Sequence, residues 1–187
     1  MTAKVVLDAN VLYSARLRDL LMELAVSQIL ELVWTKRIED EWIKVILRHR
    51  PDLSRQLRRT AAEMRLALPD ARIDLIGREL DDYGLPDPDD AHVVAAAIAS
   101  GTAVIVTFND GDFPHRIVKP LGIETSSPDN ALLACSKRDP EGVFAAIATV
   151  RARLRAPTIS GNEYVSGLVR AGCPRFAAWV KVRVSSI

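Results

Sequence analysis

The stretch KVVLDANVLYSA, residues 4–15, decides the start of the fold and places the first candidate site residue. Lys4 to Leu7 is a short, mainly apolar run that predicts a buried strand, and Asp8 follows it directly. A helical pattern, with apolar residues three and four positions apart, then runs from about Val11 to Ser27. The sequence therefore places an acid where a buried strand passes into a helix.

The chain downstream repeats this alternation of strands and helices. Apolar or β-branched runs predict strands at 31–34, 103–107 and 122–125, with a poorly defined extended segment at 69–76. Helices are predicted at 36–48, 52–66 and 89–100, the last of them closed by Gly101, and 84–88 is predicted to be a loop. Because parallel strands need helical crossovers, this order indicates an α/β fold with a parallel sheet flanked by helices.

After Pro128 the pattern is helical only. It is broken at Asp139-Pro140, at Pro157 and at Gly172-Cys173-Pro174, and Ser160 with Glu163 has the spacing of a capping box. We therefore expect two parts, an α/β domain over residues 1–127 and an all-helical C-terminal extension over residues 128–187.

Composition excludes several classes of protein. Of the 187 residues, 49% are hydrophobic and 26% are charged, which is typical of a soluble globular protein. The longest apolar run is too short to cross a bilayer and the N-terminus lacks a signal-peptide pattern, so we expect a cytoplasmic protein that does not contact a membrane. The two cysteines lack C-x-x-C spacing and suggest neither a zinc site nor a disulfide framework.

Acidic residues lie where a parallel sheet binds ligands, outside the carboxyl ends of its strands. Asp8 follows the first strand, and a second group, comprising Asn109, Asp110 and Asp112, follows the strand at 103–107. Asp89 and Asp90 open the helix before that strand, where the helix dipole is expected to favour an ionised carboxylate. Glu41 lies in the helix after the second strand.

Converging carboxylates repel one another unless a cation neutralises them, so the set implies a metal ion. Oxygen ligands without cysteine or a histidine pair select Mg²⁺, with Mn²⁺ as an alternative, over Zn²⁺. Taken singly, each acid is better explained as a turn residue, a helix cap or a solvated helix position. The joint pattern is what favours a metal site.

Four segments together resemble the PIN domain in order and spacing, and most closely the VapC-type toxins of bacterial type II toxin-antitoxin systems. They are VVLDANVLYSA, IEDEW, PDPDDAHVVAAAIASGTAVIVTFNDGDF and GIETSSPDNAL. The resemblance covers roughly the first two-thirds of the chain. It implies a parallel sheet flanked by helices and Mg²⁺-dependent endoribonuclease activity. The segment from Arg151 is similar, less specifically, to the helical extension of some longer VapC-type proteins.

The resemblance also implies roles for particular residues. The family's four acids match, in order, Asp8, Glu41, Asp90 and Asp112, which would be both catalytic and metal-binding. Asn109 matches the polar residue after the strand, and Thr107 is expected to orient Asp8 or a metal-bound water. Asn10, two residues after Asp8, argues against a haloacid-dehalogenase-type phosphatase, which would need an aspartate there.

Three of these matches have competitors nearby. Asp110 is also a candidate metal ligand, and the sequence does not decide between it and Asp112. Glu39 and Asp40 compete with Glu41, which fits better because it directly precedes an apolar residue. Asp89 competes with Asp90, which is preferred because it lies two residues before His92. His92 itself is interpreted as a structural residue and is left out of the catalytic set.

As a function, these features predict a Mg²⁺-dependent endoribonuclease, the toxin of a toxin-antitoxin pair. Its RNA substrate would be held by the basic residues between Lys36 and Arg59. A cognate antitoxin and a homodimer are family expectations. The alternatives are a non-catalytic PIN-like module that binds RNA or protein and, more distantly, a metal-dependent phosphatase or DNA nuclease.

Overall fold

A five-stranded parallel sheet with helices on its faces forms the centre of the protein in the computed structural model, which describes residues 2–75, 82–154 and 158–184. The strands are β1 Ala3–Leu7, β2 Leu30–Thr35, β3 Arg72–Ile73, β4 Val104–Val106 and β5 Glu124–Ser126. The helices are α1 Ala15–Val26, α2 Lys36–His49, α3 Ser54–Ala67, α4 Ala91–Ser100, α5 His115–Val118, α6 Pro128–Arg138, α7 Pro140–Arg153, α8 Gly161–Arg170 and α9 Pro174–Lys181. The predicted α/β class is confirmed.

The sheet has the strand order β3-β2-β1-β4-β5, so β1 lies at its centre. Val5, Val6 and Leu7 are almost completely buried, as expected for a central strand covered by helices on both faces. The pairing continues beyond the strand ends, where the Asp8 N–H donates to the Val106 carbonyl at 3.0 Å and the Thr107 N–H donates to the Ser126 carbonyl at 3.0 Å. The carboxyl ends of β1, β4 and β5 therefore meet at one edge.

Hydroxyl side chains fix the starts of most long helices. Ser14, Thr35 and Ser127 accept hydrogen bonds from backbone N–H groups in the first turns of α1, α2 and α6. Ser160 and Glu163 form the predicted capping box of α8. Gly101 ends α4 with φ +64°, the left-handed cap that its sequence position predicted.

Three helices begin later than predicted, and one of them is α3, which was expected from Asp52 but begins at Ser54 after the 3₁₀ turn Pro51–Leu53. The helix expected from Val11 is preceded by a separate 3₁₀ turn, Ala9–Leu12, and α1 starts only after the Ser14 cap. The helix expected from Asp89 likewise follows a 3₁₀ turn, Pro88–Asp90, and begins at Ala91.

The C-terminal helices pack against α1 and share one continuous hydrophobic core with the sheet. Trp179 stacks on Phe144 and Phe176, with ring centroids 4.5 and 5.6 Å apart. The guanidinium of Arg16, on α1, lies 4.9 Å from the centre of the Tyr164 ring on α8. Both cysteines are buried and free. No helix in the described ranges is long and apolar enough to cross a membrane.

Asp129 joins α6 to α9. Its side chain is buried, and its two oxygens accept the backbone N–H groups of Arg175 and Phe176 at 3.1 and 2.7 Å. These groups belong to the first turn of α9, whose N–H groups have no partner within the helix. Asp129 therefore supplies the N-terminal cap of α9 from another helix.

We predict that Asp129→Ala lowers the free energy of unfolding by about 1–3 kcal/mol, because it leaves two buried N–H groups without acceptors. Urea unfolding followed by circular dichroism measures the change. Asp70→Ala is the control, since Asp70 is exposed and accepts no side-chain hydrogen bond within the described ranges. Equal stability of the two variants would contradict the capping role.

Candidate active site

Asp8 lies at the carboxyl end of β1, at the N-terminal boundary of the 3₁₀ turn Ala9–Leu12. Only 7% of the residue is exposed. Burial raises the pKa of Asp8 above its ordinary value, and hydrogen bonds from Thr107 and from the backbone at Ala9 and Asn10 partly oppose this. A carboxylate held at this depth needs several donors to remain ionised.

The side chains of Thr107 and Asn10 form a small hydrogen-bond network around one oxygen of Asp8. Oδ2 accepts the Thr107 hydroxyl at 2.6 Å and the Asn10 amide at 2.7 Å. The Thr107 hydroxyl oxygen in turn accepts the Asn10 amide at 3.0 Å and the Asn109 N–H at 2.9 Å. The contact expected between Thr107 and Asp8 is thus present, and it fixes the rotamer of Asp8.

Glu41 reaches the same edge from α2. Arg37 Nε, one helical turn earlier, and His92 Nε2, on α4, both lie 3.1 Å from the same oxygen, Oε1. Burial raises the pKa of Glu41, but the hydrogen bonds from His92 and Arg37 outweigh it, and the pKa falls below its ordinary value. Glu41 is therefore an ionised carboxylate with one anchored oxygen.

The other two acids of the segment IEDEW, Glu39 and Asp40, pair with other residues. Glu39 is buried and pairs with Arg65, and it also accepts the indole N–H of Trp34 at 3.4 Å. Asp40 is exposed and pairs with Lys36 at 2.5 Å. Of the three acids in IEDEW, Glu41 is the one whose charge acts on Asp8 and Asp90.

Asp90 lies directly before α4 and does not cap it. The cap of the preceding 3₁₀ turn is Asp87, which accepts the Asp89 N–H at 2.9 Å, and the Asp90 side chain makes no capping hydrogen bond. Its competitor Asp89 turns to solvent, with its side chain 89% exposed, and binds Arg37. The Asp90 carboxylate is therefore not used as a helix cap and can act at the edge of the sheet.

The pKa of Asp90 is raised from an ordinary value of 3.8 to about 7. Burial is the largest cause, followed by the negative charges of Asp8, Asp112, Asp87 and Glu41. The expectation that the helix dipole would favour the ionised form is therefore wrong for this residue, because burial and like charges outweigh the dipole. Of the acids that raise the pKa of Asp90, three are the other candidate ligands Asp8, Glu41 and Asp112, and the fourth is Asp87.

Asp110 and Asp112 lie together in a 3₁₀ turn after β4 but have different partners. Asp110 accepts the hydroxyl of Thr125 on β5, whereas Asp112 accepts the side-chain amide of Asn109 and contributes to the raised pKa of Asp90. The charge of Asp112 thus acts on Asp90, whereas Asp110 is not among the causes of that shift, which favours Asp112 of the two.

A cation fits the chemistry of this edge, although the ligands are not assembled. Within the described ranges, no three acidic, histidine or cysteine side chains are arranged to hold a metal ion as they stand. Mg²⁺, however, retains several waters and commonly takes only one or two carboxylates directly. The uncompensated charge that raises the pKa of Asp90 is what a hard cation would neutralise.

Sequence reasoning passed over several neighbours of the carboxylates. Arg37 could have been found from its i,i+4 spacing to Glu41. His92 and Tyr13 carried no such signal. Burial raises the pKa of the Tyr13 hydroxyl, and the charges of Asp8 and Glu41 add to this, so that hydroxyl is influenced by the same acids.

The C-terminal helices border the loop after β4. A Cβ on Gly172, between α8 and α9, would lie 2.6 Å from the ring of Phe108 in that loop.

We predict that Asp90→Asn stabilises the protein at high pH when divalent cations are removed with EDTA. The raised pKa means that the folded state binds the Asp90 proton more tightly than the unfolded state, so stability falls as the pH rises from about 4 to 7. The variant escapes this loss. Because Asp90 is half-buried and screened by solvent, we expect a gain of about 1–2 kcal/mol at pH 8 and little at pH 4.

Urea unfolding at pH 4, 6 and 8 checks this, with Asp89→Asn as the exposed neighbour control. A difference between Asp90→Asn and the parent that stays constant across this range would contradict the electrostatic description of the site.

The family comparisons agree with this geometry. The model of the PIN domain matches residues 4–111, and the model of the VapC50 C-terminal domain matches residues 128–181. No curated protein and no solved structure is significantly similar to the chain. The first match contains β1 to β4 with Asp8, Glu41, Asp90 and Asp110, and the second contains α6 to α9. The chain therefore belongs to the PIN domain family and is built as a nuclease toxin of the VapC type.

Proposed function

We propose that the protein is a Mg²⁺-dependent endoribonuclease. The observation that carries this proposal is the concentration of negative charge at the carboxyl edge of the sheet, where burial and then the charges of Asp8, Asp112, Asp87 and Glu41 raise the pKa of Asp90 to about 7. Such a site is unfavourable for the protein alone and favourable for a bound divalent cation. It is also the edge at which open parallel sheets bind their ligands.

Asp8, Glu41, Asp90 and Asp112 would hold the cation, with Mn²⁺ as a substitute for Mg²⁺. A divalent cation bound among carboxylates activates a water and stabilises the leaving oxygen in phosphodiester cleavage. Neighbouring side chains of the protein would orient these carboxylates. Thr107 and Asn10 fix Asp8 through Oδ2, Asn109 fixes Asp112, and Arg37 and His92 bind Glu41 through Oε1. Asp110 is the less favoured ligand because its charge is not among those that raise the pKa of Asp90.

The RNA backbone would lie in a groove between α2 and α3. This groove, of about 540 Å³, is lined by Asp40, Ile43, Lys44, Leu47, Arg48 and Arg58. Arg48, which lines the groove, lowers the pKa of the Tyr13 hydroxyl, while Asp8 raises it, and these opposite effects on one group support a groove close to the site. A cationic groove that leads to a carboxylate site is suited to a phosphate backbone.

The structure separates the basic residues of this region into two groups. Lys36, Arg37, Arg50, Arg59 and Arg65 each form an ion pair with an acid nearby. Lys44, Arg48, Arg55 and Arg58 form none with the part of the chain described. Only the second group carries charge that is not already compensated, which supports these four residues as phosphate contacts.

As a toxin, the protein would be paired with a cognate antitoxin. An antitoxin arginine placed among the carboxylates would neutralise the same charge as the cation and thereby block the site. A homodimer stays a prediction from the family resemblance.

We predict that Asp8→Asn abolishes RNA cleavage in Mg²⁺ while leaving the fold intact, because asparagine keeps the shape of the side chain but loses the charge that binds the cation. Cleavage of a mixed RNA pool and far-ultraviolet circular dichroism test the two parts, with Asp70→Asn as the exposed control. Cleavage by Asp8→Asn at the parental rate would refute the metal site. If Mg²⁺ and Mn²⁺ also fail to raise the parental melting temperature, a non-catalytic PIN-like module is favoured.

We predict that Arg58→Ala weakens RNA binding and lowers the slope of log affinity against log salt by about 1, as expected for the loss of one phosphate contact. Arg59→Ala is the matched control, because Arg59 is already paired with Glu63 at 2.8 Å. Titrations in the inactive Asp8→Asn background at several salt concentrations separate binding from cleavage. Equal slopes for the two variants would remove the groove from the RNA path.

A further inference from the structure

We propose that His92 is a positioning residue of the active site, which holds Glu41 in the rotamer that meets the cation. This inference rests on the proposed function, since it assigns Glu41 to the metal site. It replaces the interpretation of His92, drawn from its place near a helix start, as a purely structural residue.

His92 connects two elements that the sequence keeps apart. It lies in the first turn of α4, two residues after Asp90, and its Nε2 is 3.1 Å from Oε1 of Glu41 on α2. The imidazole is 1% exposed, whereas the Glu41 side chain is 34% exposed. The histidine therefore reaches Glu41 from the protein interior and leaves the outer side of the carboxylate open to solvent and ligand.

The contact is made to one oxygen only. His92 and Arg37 both bind Oε1, and Oε2 accepts no hydrogen bond from the described part of the chain. A carboxylate with one oxygen fixed by two donors keeps its orientation and offers the other oxygen to a cation. The side-chain donors of Asp8 are likewise directed to one oxygen, because Thr107 and Asn10 both bind its Oδ2.

The other ring nitrogen shows that stability alone does not explain the imidazole. Nδ1 of His92 is buried and has no hydrogen-bond partner among the described residues. An unpaired polar atom in a core is unfavourable, and an apolar side chain of similar size would avoid it. A histidine in the first turn of a helix also gains nothing from the helix dipole, which favours anions there. The contact of Nε2 with Glu41 is therefore the contribution that accounts for a histidine at this position.

Partners that bind the back of a metal ligand orient it, and their loss commonly weakens metal binding by about 10- to 100-fold. The geometry of His92 allows a discriminating set of substitutions. Glutamine places its amide nitrogen the same number of bonds from the backbone as Nε2 and can donate to Glu41. Asparagine is one bond shorter and cannot reach, and leucine removes the donor altogether.

The test measures the Mn²⁺ concentration that gives the half-maximal rise in melting temperature, together with kcat and KM for RNA cleavage, in the full-length parent and in His92→Gln, His92→Asn and His92→Leu. We expect His92→Asn and His92→Leu to need about 10- to 100-fold more Mn²⁺ and to lose kcat with little change in KM. His92→Gln should stay within about threefold of the parent on both measures, because its amide replaces the Nε2 donor.

Three results would overturn the proposal. His92→Asn or His92→Leu could fold and bind Mn²⁺ as the parent does, or His92→Gln could lose as much as His92→Leu. In either case the metal site stands and the role of His92 falls. If the parent itself shows neither a Mn²⁺-dependent rise in melting temperature nor cleavage, the proposed function fails and the role of His92 fails with it.

Discussion

Repulsion among carboxylates at the carboxyl edge of the parallel sheet is the constraint around which the rest of the structure is arranged. Asp8, Glu41 and Asp112 come from three separate segments, and their charges, together with burial, raise the pKa of Asp90 to about 7. A protein selected for stability alone would separate these groups. Negative charge gathered in this way is the reason for proposing that the edge binds a divalent cation.

The polar side chains nearby hold the acids in place without neutralising the whole set. Thr107 and Asn10 fix Asp8, while Arg37 and His92 fix Glu41, and in both cases these side-chain donors bind a single oxygen. Fixed donors reduce the reorganisation that a carboxylate needs when it binds a ligand. Within the described ranges, however, no three of the metal-binding side chain types are yet arranged as ligands.

The C-terminal helices are part of the same body as the sheet. They share its hydrophobic core and pack on α1, and Asp129 on α6 caps α9 through two backbone N–H groups. Gly172, with φ +84°, brings the turn between α8 and α9 against the ring of Phe108, which directly follows Thr107. The turn between α8 and α9 thus packs directly against the loop after β4.

The sequence by itself determined the α/β class, the order of the elements and the main acidic candidates. Apolar periodicity and caps such as Ser160 and Gly101 act locally, so a single chain segment contains the information needed to read them. Only the tertiary structure decided the surroundings of each acid. The charge of Asp112 acts on Asp90, Asp110 accepts the hydroxyl of Thr125, and the buried His92 lies 3.1 Å from Glu41. Contacts of this kind depend on how α2, α4 and β5 pack together, and the spacing of residues along the chain does not encode that packing.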